Sequence, residues 1–434
     1  MRATCLRGNQ KLLQILNLFS VLAVTFGLMG AAQAQTVKEI LTFPGYTFAF
    51  GGLAFDSAGN LYGTTNIGGT GTGCGQNGCG TVFALSPTSS GGWTETVLYN
   101  FTGGSDGANP LTGVVIDAPG NLYGTTRHGG SATCVCGNVY RLSPVSGGGW
   151  KETVLYSFTG GSDGSSPEGT VVLDSKGNIY GTTYSGGNSG CFGSGCGVVF
   201  KLSPTSNGAW SETVLHTFTG GIDGSHPLGS LALQGNTLYG AAAAGGILNT
   251  CNNYGCGVVF KIARSSTGWK ETVLYRFTGG QDGSDPVGGI TLDSSGNLVG
   301  TTNQGGSKTS QCSNGCGLAF KLTPSSTGWR EIVLYRFTHG NDGAFPVGPV
   351  TLDAAGNVFG ETISPSWCNS FISICGVVYK LSWSSAGWQP SALYQIPGDW
   401  NAVGSVVLDA AGNIFGMGNG PTETGISGVF EITP

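Results

Sequence analysis

The chain has 434 residues, 80 of them glycine, with 9% charged side chains and a formal net charge of −5. So sparse and acidic a charge disfavours nucleic acid and anionic membrane surfaces as partners. Plentiful, regularly placed hydrophobic residues argue against disorder, and no amphipathic stretch of helix length occurs.

Residues 1–34 read as a secretory signal. Arg2, Arg7 and Lys11 form a basic start, residues 12–29 are largely apolar, and Ala32-Gln33-Ala34 supplies small residues at a cleavage site. An uncleaved anchor is the competing reading, since the apolar run is long. Cleavage would leave residues 35–434 as one domain, secreted or periplasmic, with no later membrane span and a monomeric state expected.

A β-branched run at residues 36–43 follows, matching the run that ends at Phe101. Next comes Leu61-Tyr62-Gly63-Thr64-Thr65, and this step returns six more times. Its central residue is Tyr62, Tyr123, Tyr180, Tyr239, Val299, Phe359 and Phe415, a period of about 59 residues.

One unit shows the pattern. Residues 150–158 are β-branched and aromatic, hence a strand. Thr159-Gly160-Gly161-Ser162-Asp163-Gly164 makes a turn, and Val171 to Leu173 a short apolar strand buried on both faces. Asp174-Ser175-Lys176-Gly177-Asn178 is a hairpin turn. Residues 179–183 form a third strand, a cysteine-bearing loop follows, and residues 198–202 form a fourth. Four antiparallel strands per unit, seven units and no helices predict an all-β, seven-bladed β-propeller. A β-solenoid competes, but its repeats are usually shorter.

The ends separate the two. The last unit stops at its third strand, Val429-Phe430-Glu431-Ile432, and its missing outer strand is available at residues 36–43. That pairing closes a ring and removes the open edge. Gly51, Thr112, Gly169, Gly229, Gly288, Gly348 and Gly404 precede the hairpin turns, as expected where backbones crowd near an axis.

The unit Phe-Thr-Gly-Gly-x-Asp-Gly, then Leu-Asp-x-x-Gly-Asn-Leu-Tyr-Gly-Thr-Thr, then Gly-Cys-Gly-x-Val-Phe-Lys-Leu is cleanest at 158–163, 173–183 and 195–202. It resembles the GloVer-type tandem repeat of secreted bacterial proteins over essentially the whole mature chain. The resemblance implies export and a propeller-like β fold, and no particular reaction.

Apart from Cys5, the cysteines fall in neighbouring pairs: Cys74/Cys79, Cys134/Cys136, Cys191/Cys196, Cys251/Cys256, Cys312/Cys316 and Cys368/Cys375. Their variable spacing, without paired histidines, argues against zinc and for disulfides in an exported protein. By chain entropy each six-residue loop closed this way stabilises the fold by about 2 kcal/mol. No metal site or cofactor is indicated.

The Asp-Gly turns carry Asp106, Asp163, Asp223, Asp282 and Asp342, and the hairpins Asp56, Asp117, Asp174, Asp293, Asp353 and Asp409. One carboxylate per loop suits an Asx-type turn better than calcium, which takes six to eight oxygens. The periodic tryptophans Trp93, Trp150, Trp210, Trp269, Trp329 and Trp388 read as packing. Function is sought where repeats depart from their own rule. Phe192, Tyr254, Phe345, Trp367, Phe371 and Trp400 are unpatterned aromatics in loops expected to share one face, and are candidates for holding a glycan or extended peptide.

Catalysis has less behind it. His128, His216, His226 and His339 occupy different repeat positions, and no nucleophile elbow is present. Glu361 interrupts a Gly-Thr-Thr step and is the candidate carboxylate for catalysis, with Glu168 and Asp285 also off pattern. The primary reading is an exported binding module for a glycan or peptide, leaning away from an enzyme. The alternatives are an extracellular hydrolase or lyase acting on polysaccharide, and a structural envelope protein.

Overall fold

In the computed structural model the described residues are 35–43, 51–131, 134–363, 374–397, 401–402, 404–419 and 427–433. Val37 to Thr433 form one unit built from seven antiparallel sheets. The third blade shows the plan. Val172–Leu173 lies innermost, then Ile179–Thr183, Val198–Pro204 and, outermost, Trp210–Thr217. Only two short 3-10 turns, Gly75–Asn77 and Cys191–Gly193, break the all-β pattern among the described residues.

The first six blades carry the same bulge. Val199 pairs with His216 and Phe200 with Val214, leaving Leu215 as the extra residue. An added residue re-aims the side chain beside it. Here Leu155, Leu215 and Leu334, all at this position, are turned into the core.

Neighbouring blades are stapled by repeated edge-on aromatic contacts. Phe158 leaves the second blade and meets Phe200 of the third at 5.1 Å, as Phe218 meets Phe260 and Phe277 meets Phe320. Trp150 lies on Tyr62, Trp269 on Tyr180 and Trp329 on Tyr239, each pair spanning two blades. The packing expected of the periodic tryptophans is therefore present at these three positions.

The ring closes as the chain ends require. Thr36–Phe43 is hydrogen-bonded beside Ser427–Thr433 as the outer strand of the seventh blade. The interblade aromatic contacts continue between the seventh and first blades, Phe43 with Phe83 and Phe415 with Trp93.

At the axis, the inner glycines are required by close approach. A β-carbon on Gly288 would strike the carbonyl of Gly348, and one on Gly348 the carbonyl of Gly404. Beside these strands lies a cavity of about 350 Å³ with residues from all seven blades in its wall, among them Leu111, Glu168, Leu228, Val287 and Val347.

Candidate functional site at the loop face

Antiparallel strand order places two sets of turns at opposite ends of every blade. One end carries the Asp-Asn hairpins. In the third blade Asp174 accepts hydrogen bonds from Asn178 N (2.9 Å), Asn178 Nδ2 (2.7 Å) and the Tyr180 hydroxyl (3.0 Å). The other end, the loop face, carries the cysteine loops and the Thr-Gly-Gly-x-Asp-Gly turns. Asp163 accepts from Thr159 N (2.8 Å), Thr159 Oγ1 (2.6 Å) and the Tyr156 hydroxyl (3.1 Å). Both sets of aspartates serve their own turns.

Five disulfides lie among the described residues: Cys74–Cys79, Cys134–Cys136, Cys191–Cys196, Cys251–Cys256 and Cys312–Cys316. Cys368 lies outside the described residues, as does the side chain of Cys375. These bridges have a positioning role beyond stability. The carbonyl of the second cysteine accepts the backbone N–H of the residue just before the proline that enters the next blade. Cys79 holds Asn109 (2.8 Å), Cys136 holds Ser166 (2.8 Å), Cys196 holds His226 (2.9 Å), Cys256 holds Asp285 (3.0 Å) and Cys316 holds Phe345 (2.8 Å).

All five held residues are left-handed, with φ between 53° and 59°. A non-glycine residue in this region is strained and persists only where its surroundings impose it. The repeats thus keep one backbone while changing the side chain it displays. A fixed frame carrying variable chemistry is what a site needs.

Three of those displayed side chains enter a cluster across the second to fifth blades. Asn109 Oδ1 is 3.0 Å from His128 Nδ1. His226 stacks on Tyr184, centroids 4.6 Å apart and planes tilted 36°. Asp285 bears on the same tyrosine, as do the charges of Glu168 and Arg127. Arg127 Nε lies 3.0 Å from Glu168 Oε1, an ion pair whose alignment is too poor for a hydrogen bond.

Burial sets the protonation states here. It lowers His226, and it lowers His128 with help from Arg127, so both imidazoles are neutral near pH 7. It raises Tyr184, further lifted by Glu168 and Asp285 against Arg127. It pushes Asp285 up to about 6, and raises Glu168 despite Arg127. The cluster therefore offers neutral bases, a protonated phenol and a cation side by side.

The aromatic candidates separate. Phe192 and Tyr254, from consecutive blades, come together at 5.5 Å and stand 87% and 55% exposed. Phe345 instead packs on the core between the fifth and sixth blades. Trp367, Phe371 and Trp400 lie outside the described residues. Glu361 is set apart from the rim cluster. It is fully buried, both oxygens lack a hydrogen-bond partner, and burial raises it to about 8. Its carboxyl is wedged against Gly416 of the seventh blade.

Arg127, Tyr184 and His226 were not picked out as a group from the sequence. Superposing the repeats finds the signal. Asn109, Ser166, His226, Asp285 and Phe345 share one variable position, as do Asn66, Arg127, Tyr184, Ala243 and Asn303.

Comparison with solved structures places this fold beside enzymes. A catalytically inactive virginiamycin B lyase from Staphylococcus aureus, solved with quinupristin, is 16% identical at a TM-score of 0.52, covering 92% of this chain and 99% of its own. A polysaccharide lyase described as an ulvan lyase is 13% identical at 0.53, covering 88% and 94%. A fungal alcohol oxidase in complex with copper is 14% identical at 0.53, covering 92% and 76%. Among the described residues here, no three His, Cys, Asp or Glu side chains converge to hold a metal ion.

These likenesses establish a shared fold, and they overturn the leaning away from an enzyme: propellers of this shape catalyse elimination and oxidation, so catalysis has to be weighed on the site itself. Comparison with curated protein sequences finds no match. The Gloeobacter/Verrucomicrobia repeat matches residues 24–252 and 246–434, and the chain belongs to that repeat family.

Proposed function

We propose that this propeller is an exported lyase that cleaves an acidic polysaccharide by β-elimination at the loop-face cluster. The observation that carries the reading is the contact of a neutral His226 with a protonated Tyr184, beside the Arg127–Glu168 pair. Elimination next to a uronate carboxylate needs three things: a base for the carbon-bound proton, an acid for the departing glycosidic oxygen, and a cation that makes the proton acidic.

His226 takes the proton, the carbon–carbon double bond forms, the C–O bond breaks, and Tyr184 protonates the leaving oxygen. Arg127 binds the uronate carboxylate, and Glu168 orients the guanidinium. No cofactor is required for this balance. The ulvan lyase and the virginiamycin B lyase lend support at the level of fold. The secretory character of residues 1–34 and the disulfides support export to where such polymers occur.

The test is incubation with ulvan, alginate, polygalacturonate and polyglucuronate, following the ultraviolet absorbance of the unsaturated product. Activity on at least one, lost in His226→Ala, is expected. New reducing ends without an unsaturated sugar would replace elimination by hydrolysis. No cleavage of any of the four removes the reading.

A further inference from the structure

Away from the axial cavity, a second cavity of about 390 Å³ opens on the loop face between the fourth and fifth blades. Its wall includes Asn252, Tyr254, Asp285, Gln304, Lys308 and Asn314. Among the described residues, no hydrogen bond engages the amide groups of Asn252 or Asn314, Lys308 makes no ion pair, and the carboxyl of Asp285 has no hydrogen-bond partner. Amides that both donate and accept, a carboxyl and an ammonium match the hydroxyls and charge of a sugar acid. The Tyr254 ring is half exposed at this wall, and Phe192 extends it by a second ring at 5.5 Å.

Phe192 is held in this exposed position by its backbone, at φ 61° next to Cys191 at φ 49°. A large apolar ring 87% in solvent, on a strained loop pinned by a disulfide, has no packing role to explain it.

We propose that this cavity, with the Phe192–Tyr254 platform, is a binding subsite for a pyranose unit of an acidic polysaccharide, stacked on Tyr254 with its carboxylate on Lys308. The identity of the polymer rests on the lyase reading; the subsite itself does not. Continuity links the two places. Asp285 belongs to this wall, and its charge bears on Tyr184. A chain lying across the third to fifth blades would present one unit to the cluster and a neighbour to the platform.

The experiment measures calorimetric binding of uronate tetrasaccharides from the same four polymers to a His226→Ala protein, which does not consume them. Tyr254→Ala on that background should weaken binding about tenfold or more. Lys308→Met should weaken the uronate tetrasaccharide and leave its carboxyl-reduced counterpart unaffected. Both side chains are exposed, and unchanged melting temperatures would show that the variants fold. Binding within about twofold of the parent in both variants, or no binding of any tetrasaccharide, overturns the subsite. The two readings fail differently. Unsaturated product with a KM indifferent to Tyr254→Ala sinks the subsite and spares the lyase. Tyr254-dependent binding without turnover by the unmutated protein does the reverse.

Discussion

Phe43, from the first strand of the described chain, lies edge-on against Phe83 of the first blade, centroids 5.0 Å apart and planes at 69°. This is the contact that Phe158 makes with Phe200, reproduced where the seventh blade, with its N-terminal outer strand, meets the first. Both rings of the contact are buried.

Phe43→Ala should therefore cost about 3–5 kcal/mol, the range for deleting a buried phenylalanine. The strand that Phe43 anchors to the first blade is held to Ser427–Thr433 by non-covalent pairing, so loosening that anchor should also split the unfolding transition. Denaturant titration followed by tryptophan fluorescence checks both. A single transition with an unchanged midpoint would show that the N-terminal strand contributes nothing to closure.

The bridge Cys251–Cys256 presents its second carbonyl to Asp285 N. The double variant Cys251→Ser, Cys256→Ser should lose about 2 kcal/mol from the freed loop. It should also lose turnover on the best of the four polymers well beyond that, because Asp285 and the Tyr254 loop are no longer held. Opening Cys74–Cys79, which holds Asn109 at the far end of the cluster, should cost similar stability with a smaller loss of activity. Equal activity losses would deny the bridges a positioning role.

Glu361 faces no partner inside the seam between the sixth and seventh blades, where Met417 occupies the equivalent place in the next blade. Glu361→Met should raise stability by about 1–3 kcal/mol, the cost of an unsatisfied buried polar group. The carboxyl's pKa is raised from 4.5 to about 8, so its contribution is present below pH 4.5 and lost as pH rises through 8. Melting temperature should fall between pH 5 and 8 and level off above 8 in the parent, and fall less steeply over that range in the variant.

A second pH dependence is written into the blade seams. Burial, with the neighbouring Asp106, Asp163 or Asp282, pushes Glu152, Glu212 and Glu331 up to about 7. Burial also raises Glu271, with Asp223 adding to it. The folded state keeps protons that the unfolded chain releases above pH 4.5, so stability falls as pH climbs from there through 7. The turn aspartates Asp56, Asp174 and Asp293 are instead lowered, by hydrogen bonds that outweigh their burial, and lose their contribution in stronger acid. Maximal melting temperature is expected near pH 5. Changing the four glutamates to glutamine should make the slope between pH 5 and 8 clearly shallower, leaving the share of Glu361 and Asp285; a slope as steep as the parent's would place its origin elsewhere.

The acid limb of the pH–rate profile should report His226. Burial lowers it from 6.5, so kcat/KM should rise with pH to a plateau with a midpoint below that value. Asp285, at about 6, titrates nearby. Asp285→Asn should leave the limb in place, and a limb that vanishes with it would transfer the base to the carboxylate.

Much of this protein was legible in its residues because it is local and repeated. Alternation and turn residues mark each strand, seven copies of the Gly-Thr-Thr step count the blades, and complementary ends at Phe43 and Ile432 announce a closed ring. Cysteines only a few residues apart pair with each other because the loop between them permits little else.

The site was another matter. Whether Glu361 met solvent or a neighbouring blade depended on interblade packing, which the register of a single repeat does not contain. Phe192 and Tyr254, or Arg127 and Glu168, lie in different blades, and only the rotation from one blade to the next brings their loops together. The left-handed backbone before each proline arises from a carbonyl offered by the preceding blade, against local preference. Strand and turn are settled by near neighbours in sequence. The direction a rim side chain points is settled by contacts between blades, and these exist only once the ring is assembled.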